Sequence, residues 1–178
     1  MVPEERPYHT DLPEPRRQVI LPPNPLVPEA IRSVNLTPRI VDHYLKFLPM
    51  LCHDQDDRQY GSSVEHDVLA IQALGRRIHF GALYVAETKY RDNPSALAAA
   101  AERGDRGELL TLVTRPEVEE RILVRVADKV NYVQASVNPA VRMRVDPDVV
   151  LRLYRDAVIP LTKEGQIDYL LARVAGSG

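Results

Sequence analysis

Residues 74–90 read LGRRIHFGALYVAETKY, a stretch that sets the cations Arg76, Arg77 and Lys89 inside an otherwise apolar run. Leu69, Ile71, Leu74, Ile78, Phe80, Leu83 and Val85 surround them at helical spacing, which predicts a long helix with one side on a core. A charge placed where a helix meets its core must be desolvated, and leaving it unpaired is costly. Arg77 and Lys89, about three turns apart, therefore outline either a buried pocket for an anion or cations that snorkel outward to surface acids. Spacing alone fits both. Lysine is scarce, with Lys46, Lys89, Lys129 and Lys163 set against nineteen arginines. Against that background Lys89 marks a place suited to a compact point charge instead of a guanidinium fork.

Outward from this helix the pattern stays helical. Thr37-Pro38 reads as an N-cap followed by proline in the first turn. Residues 38–53 then carry Ile40, Val41, Tyr44, Leu45, Leu48 and Leu51 on one side. The polar stretch DQDDRQYGSS at 54–63 is a loop, and Ser62 with Glu65 predicts a capping box that opens the long helix. Asn93-Pro94 opens an alanine-rich helix stopped by Gly104, and residues 105–113 form another. Thr114 with Glu117 is a second capping box, opening a helix to about residue 136. Asp146-Pro147 caps a last segment, kinked by Pro160 and resuming to about residue 174. No alternating strand pattern or internal repeat competes. The expectation is all-α: a bundle of about six helices forming one domain over residues 36–178.

Ahead of it, residues 1–35 form a Pro-rich extended arm. Eight of the fifteen prolines fall between Pro3 and Pro28, which disfavours both a regular helix and a central strand. Val19, Ile20, Leu21, Leu26 and Val27 give the arm apolar side chains with which to pack on the core.

Composition narrows the function. A chain of 178 residues, 44% hydrophobic, can bury a useful single core. A net charge of −2 with interleaved signs argues against a nucleic-acid binder. Cys52 is the lone cysteine and cannot form an internal disulfide; the scattered His43, His53, His66 and His79 provide no metal-ligand cluster. No apolar run reaches membrane-span length and no secretory signal opens the chain, so a cytoplasmic, reducing setting is expected.

Several polar residues fall on apolar faces. In the helix after Thr114 the stripe is Val118, Ile122, Val126 and Val130, and Glu119 borders it. That carboxylate suits a counter-ion for Arg77, or an acceptor for a ligand hydroxyl. In IPLTKEGQIDYLLAR, residues 159–173, Thr162 and Gln166 share one face beside Leu161, Ile167, Leu170, Leu171 and Val174. Thr162 also suits a helix cap after Pro160, and Gln166 a solvated position. Together these form two cations, an acid, a hydroxyl and an amide, with no nucleophile–base pair, metal cluster or glycine-rich phosphate loop. What remains is a site that binds and orients an anion and acts by positioning and electrostatics.

At this point the segments RRIHFG…VAETKY, TRPEVEERI and IPLTKEGQIDYLLAR, in that order, resemble the signature segments of the all-helical, eukaryotic-type chorismate mutases. PEERPYHTDLPEP and DDRQYGSS are similar to that family as well, so the resemblance covers nearly the whole chain. It implies conversion of chorismate to prephenate, a unimolecular [3,3] rearrangement with no cofactor, metal or covalent intermediate. It further implies that Arg77 binds a substrate carboxylate and that Lys89 reaches the ether oxygen and a carboxylate. Glu119 would accept the ring hydroxyl, Val118 would line the pocket, Thr162 would contact a carboxylate, and Gln166 would be the second donor to the ether oxygen. A neutral amide donates at any ordinary pH, so no acid optimum is expected.

The chain also departs from that family. The family begins with a helix whose arginine clamps the second carboxylate, whereas Met1 falls in what resembles the linker after the first two helices. Arg16 and Arg17 on the arm are alternative sources of the charge. Arg115 stands where the family has asparagine or tyrosine and would bind substrate in partial replacement. The family's arginine and lysine are eleven residues apart, but Arg77 and Lys89 are twelve apart, which predicts a π-bulge between Ile78 and Val85. Gly61 and Ser62 resemble an amino-acid effector position, present here as a remnant because Glu65 replaces the threonine of regulated members. The competing expectation is a catalytically impaired homologue that binds an anionic ligand or serves as an interaction domain. In either case an apolar groove left by the absent helix favours a homodimer.

Overall fold

The computed structural model describes residues 24–52, 56, 58–137 and 145–176. Over these the elements are α1 (Pro28–Arg32), α2 (Thr37–Leu51), α3 (Tyr60–Asp92), α4 (Pro94–Glu102), α5 (Arg106–Val113), α6 (Pro116–Ala135), α7 (Pro147–Leu153), a π-helical turn (Tyr154–Val158) and α8 (Ile159–Ala175). The all-α expectation holds, with eight α-helices where the spacing predicts about six. One extra helix, α1, interrupts the arm; the other arises where the last segment divides. Pro160 has no N–H for the carbonyl four residues back, and the Ile159 N–H instead reaches the Tyr154 carbonyl across a wider turn.

Residues 24–36 pack on the core. Leu26, Ala30, Val34 and Leu36 are buried, and the Val27 N–H donates to the Tyr169 hydroxyl at 3.1 Å. Val19, Ile20, Leu21, Arg16 and Arg17 lie outside the described residues.

The centre of the core is α3 against α8. Ile78, Ala82, Leu83 and Ala86 meet Leu161, Ile167, Tyr169 and Leu170. Close approach depends on Gly165, where a Cβ would lie 2.8 Å from Ala82 Cβ and 2.9 Å from Leu36 Cδ1. The apolar face expected on α3 is narrower than its sequence suggests. Ile78 and Leu83 are buried, while Leu69, Phe80 and Val85 are exposed. The buried residues of α3 fall only between Ile78 and Glu87, where α8 crosses.

Glu87 is itself buried, 3% exposed. Its carboxylate accepts from Tyr169 Oη at 2.8 Å, Arg173 Nε at 2.7 Å and Arg91 Nε at 3.0 Å. Burial pushes its pKa up, but these three donors outweigh burial and hold the carboxyl below its ordinary value. The Arg173 guanidinium also lies 3.7 Å over the Tyr90 ring. This charged knot pins α3 to α8 two residues before Lys89.

The caps follow the sequence only in part. Asp105 and Asp146 accept from the backbone N–H groups of Glu108 and Asp148. Thr37, Ser62 and Thr114 do not cap. Asn35 takes the Thr37 N–H at 3.1 Å, and α3 begins at Tyr60, before Ser62. Thr114 Oγ1 donates back to the Leu110 carbonyl at 2.7 Å, serving the end of α5 instead of the start of α6.

Candidate active site

A cavity of about 210 Å³ lies between α3, α6 and α8. From α3 come Arg77, Gly81, Val85 and Lys89; from the α5–α6 junction, Val113 and Arg115. Val118, Glu119 and Ile122 form the α6 wall, and Ile159, Thr162, Lys163 and Gln166 the α8 wall.

The α3 contribution explains how cations twelve residues apart meet in one cavity. Residues 77, 81, 85 and 89 are successive steps of four, a side-chain ridge inclined by about 26° to the helix axis. The cavity follows that oblique ridge, so no extra residue has to be absorbed. The π-bulge expected between Ile78 and Val85 is absent, since α3 is α-helical from Tyr60 to Asp92. The π-turn in this structure lies elsewhere, at Tyr154–Val158 before α8. Gly81 completes the arrangement: a Cβ on it would lie 2.6 Å from Arg77 Nη1 and 3.5 Å from Thr162 Cγ2. The Arg77 head therefore lies across the glycine, carried along the ridge towards Thr162.

The polar groups form a connected set. Lys89 Nζ donates to the Val113 carbonyl, at the end of α5, and to Gln166 Oε1 at 2.9 Å. Gln166, 4% exposed, donates from Nε2 to the Thr162 carbonyl at 3.3 Å. Thr162 Oγ1 donates to the Val158 carbonyl at 2.6 Å. Lys163 Nζ lies 3.0 Å from Glu119 Oε1 and 3.3 Å from Oε2. The counter-ion of Glu119 is thus Lys163, not Arg77: the lysine rises from α8 directly opposite it. Among the described residues neither Arg77 nor Arg115 has an ion-pair partner.

Four cationic side chains, Arg77, Lys89, Arg115 and Lys163, face one carboxylate, Glu119, across the cavity. Burial, then the charge of Arg115, pushes the Lys89 ammonium down to about 8; Glu119 opposes this and Lys163 adds to it. Excess positive charge between apolar side chains suits a compact organic dianion.

Arg77, Lys89, Arg115, Val118, Glu119, Thr162 and Gln166, all singled out from the sequence, line this one cavity. Gly61 and Ser62 do not. They sit in the exposed first turn of α3, and a Cβ at Gly61 would meet nothing within 4 Å. Gly81, Val85, Val113, Ile122, Ile159 and Lys163 complete the lining. The four-residue steps from Arg77 would have found Gly81 and Val85, and adjacency to Thr162 hints at Lys163.

No protein-family model matches the chain. Among curated proteins, chorismate mutase 2 of Petunia hybrida is 37% identical over 187 residues, covering 97% of this chain and 68% of that protein. The Schizosaccharomyces pombe chorismate mutase is 36% identical over 176 residues, with the same 97% and 68% coverage. The chain belongs to the chorismate mutase family. Against the longer chloroplastic chorismate mutase 3 of Arabidopsis thaliana, 36% identical, it spans 57% of the relative's length. Solved chorismate mutases share the fold. The Candida albicans enzyme, in complex with L-Trp, superposes with a TM-score of 0.76 at 31% identity, covering 93% of this chain and 63% of that one. The chloroplast chorismate mutase of Zea mays gives 0.74 at 37% identity, covering 94% and 66%.

Proposed function

We propose that this chain catalyses the chorismate mutase reaction, the rearrangement of chorismate to prephenate, at the cavity between α3, α6 and α8. The observation that carries this reading is the Lys89–Gln166 pair. Lys89 has three N–H donors, two of them engaged by Val113 and Gln166. Gln166 has two amide N–H donors, one engaged by the Thr162 carbonyl. Because Lys89 occupies Oε1, the amide is oriented with its nitrogen available. One donor on each remains for an ether oxygen that gains negative charge as its C–O bond breaks.

The reaction needs no proton transfer, so acceleration comes from holding the compact conformer and stabilising developing charge. In this proposal Arg77 and Arg115, two cavity cations without an ion-pair partner among the described residues, take the two carboxylates. Glu119 accepts the ring hydroxyl, and Val118, with Val85 and Ile122, packs against the ring. Thr162 reaches a carboxylate once its hydroxyl turns from the Val158 carbonyl. Each aligned donor at such a centre is worth roughly 3–4 kcal/mol.

The test is prephenate formation by this chain, beside a form extended at its N-terminus and beside Arg115→Ala. Conversion by the chain, with kcat/KM reduced at least about tenfold by Arg115→Ala, supports the proposal. A folded chain and a folded extended form that both leave chorismate unchanged overturn it. A second reading, an impaired homologue that binds a dicarboxylate without turning it over, draws on one observation: Arg77 is exposed at its end of the cavity. Binding without conversion would select it.

No helix among the described residues is long and apolar enough to cross a membrane. We extend the proposal to a cytoplasmic homodimer, on the exposed apolar side chains Val64, Val68 and Phe80 of α3 and Val124 and Tyr132 of α6. A monomeric mass in sedimentation equilibrium would refute the dimer.

A further inference from the structure

Lys163 belongs to the cavity yet has no part in the scheme above. It pairs with both oxygens of Glu119, at 3.0 and 3.3 Å, with the two side chains only 22% and 28% exposed. The acids closest to it along α8 are engaged elsewhere, Glu164 with Arg39 and Asp168 with Arg106. Glu119 needs such a partner for two reasons. First, α6 has no buried residue, so packing alone fixes the carboxylate poorly. Among the described residues, the Lys163–Glu119 contact is the only side-chain hydrogen bond between α6 and α8. Second, Glu119 is the one carboxylate lining the cavity, where it faces a dianion and repels it unless its charge is offset.

We propose that Lys163 is a positioning residue: it fixes the Glu119 carboxylate as acceptor for a ring hydroxyl and offsets its charge beside a dicarboxylate. This rests on the reading of the cavity given above. Lys163 touches no reacting atom; it acts through Glu119. Its ammonium donates to Oε2 and lies 3.0 Å from Oε1, leaving other lone pairs of the same carboxylate for the ligand. A methionine of similar length would keep the packing and lose both functions.

The experiment compares binding of two non-reacting bicyclic dicarboxylates, one with the ring hydroxyl and one without, by calorimetry on the full chain. The wild type should favour the hydroxylated compound by about tenfold or more. Lys163→Met should cut that preference to within about threefold and raise KM more than it lowers kcat, while Lys163→Arg restores most of both. The alkaline limb of kcat/KM should also move up in Lys163→Met, with Arg115, Glu119 and Gln166 still facing Lys89. That variant loses a neighbouring cation and frees Glu119 to favour the ammonium. Lys163→Gln is the second variant should Lys163→Met fold poorly.

An unchanged hydroxyl preference in a folded neutral variant overturns the proposal. So does an equal loss of both compounds at constant ratio, which would make Lys163 a bulk charge only. Binding with the expected ratios but no turnover supports the role of Lys163 and refutes the catalytic reading. If the wild type binds neither compound, both fall.

Discussion

Gly81→Ala should make the protein more stable and less active. The new Cβ would lie 2.6 Å from Arg77 Nη1, the end of a long side chain free to rotate away. Relief therefore costs the fold little, while alanine gains about 0.8–1 kcal/mol over glycine in a helix interior. A net gain of that order raises Tm by about 2–4 °C in a domain of this size. The site bears the loss. Once Arg77 leaves the ridge, its charge-assisted contact to a carboxylate goes with it, about 1.5–3 kcal/mol. That is a fall of about 10- to 150-fold in kcat/KM. Urea unfolding and initial rates of prephenate formation measure the two effects separately. The double variant with Arg77→Ala should be no worse than Arg77→Ala alone. Gly165→Ala is the contrasting control, because its Cβ meets Ala82 Cβ and Leu36 Cδ1 inside the core; it should destabilise by about 1–3 kcal/mol. Unaltered kcat/KM in Gly81→Ala, or an effect that multiplies with Arg77→Ala, would refute the oblique-ridge account of how Arg77 reaches the cavity.

Other outcomes follow from charge. Burial and Arg115 bring Lys89 down to about 8, so its ammonium is lost above that pH. A pH–rate profile of kcat/KM should fall towards tenfold per unit there, and a flat profile to pH 10 would contradict it. Gln166→Glu should abolish activity at neutral pH and restore it below about pH 5, because a carboxyl must be protonated to donate; equal activity at pH 5 and 8 would remove Gln166 from the reaction. Glu87→Gln leaves Arg173 and Arg91 without their carboxylate and should cost about 3 kcal/mol in urea unfolding. Since Glu87 is held below its ordinary value, its contribution is present above that value and lost as pH falls through the folded one. The variant should therefore show a shallower acid limb of stability.

Helix positions were legible because apolar spacing and proline punctuation are local signals. The residues gathered at the cavity came through the resemblance together with unusual placement: Glu119 at the edge of a stripe, Gln166 four residues after Thr162. What stayed hidden depends on contacts between distant segments. Nothing in VAETKY distinguishes the buried Glu87 from a solvated helix glutamate, because its partners Tyr169 and Arg173 lie 82 and 86 residues away. The expected bulge rests on the family's eleven-residue spacing of arginine and lysine, whereas here the cavity follows an inclined row of four-residue steps on α3 that accommodates twelve. The capping boxes at Ser62 and Thr114 fit local rules, but α3 begins earlier and Thr114 serves the preceding helix.

The three walls of the cavity are anchored unequally. α3 buries five residues and α8 seven, whereas α6 buries none. Amide hydrogens of α6 should accordingly exchange through local openings far cheaper than global unfolding, while those around Ala82 and Leu170 report the whole fold. A ligand closed in by these walls would leave by the loosest of them. Residence time in the cavity would then be set by how often α6 breathes, and would shorten on warming before the α3–α8 core loosens.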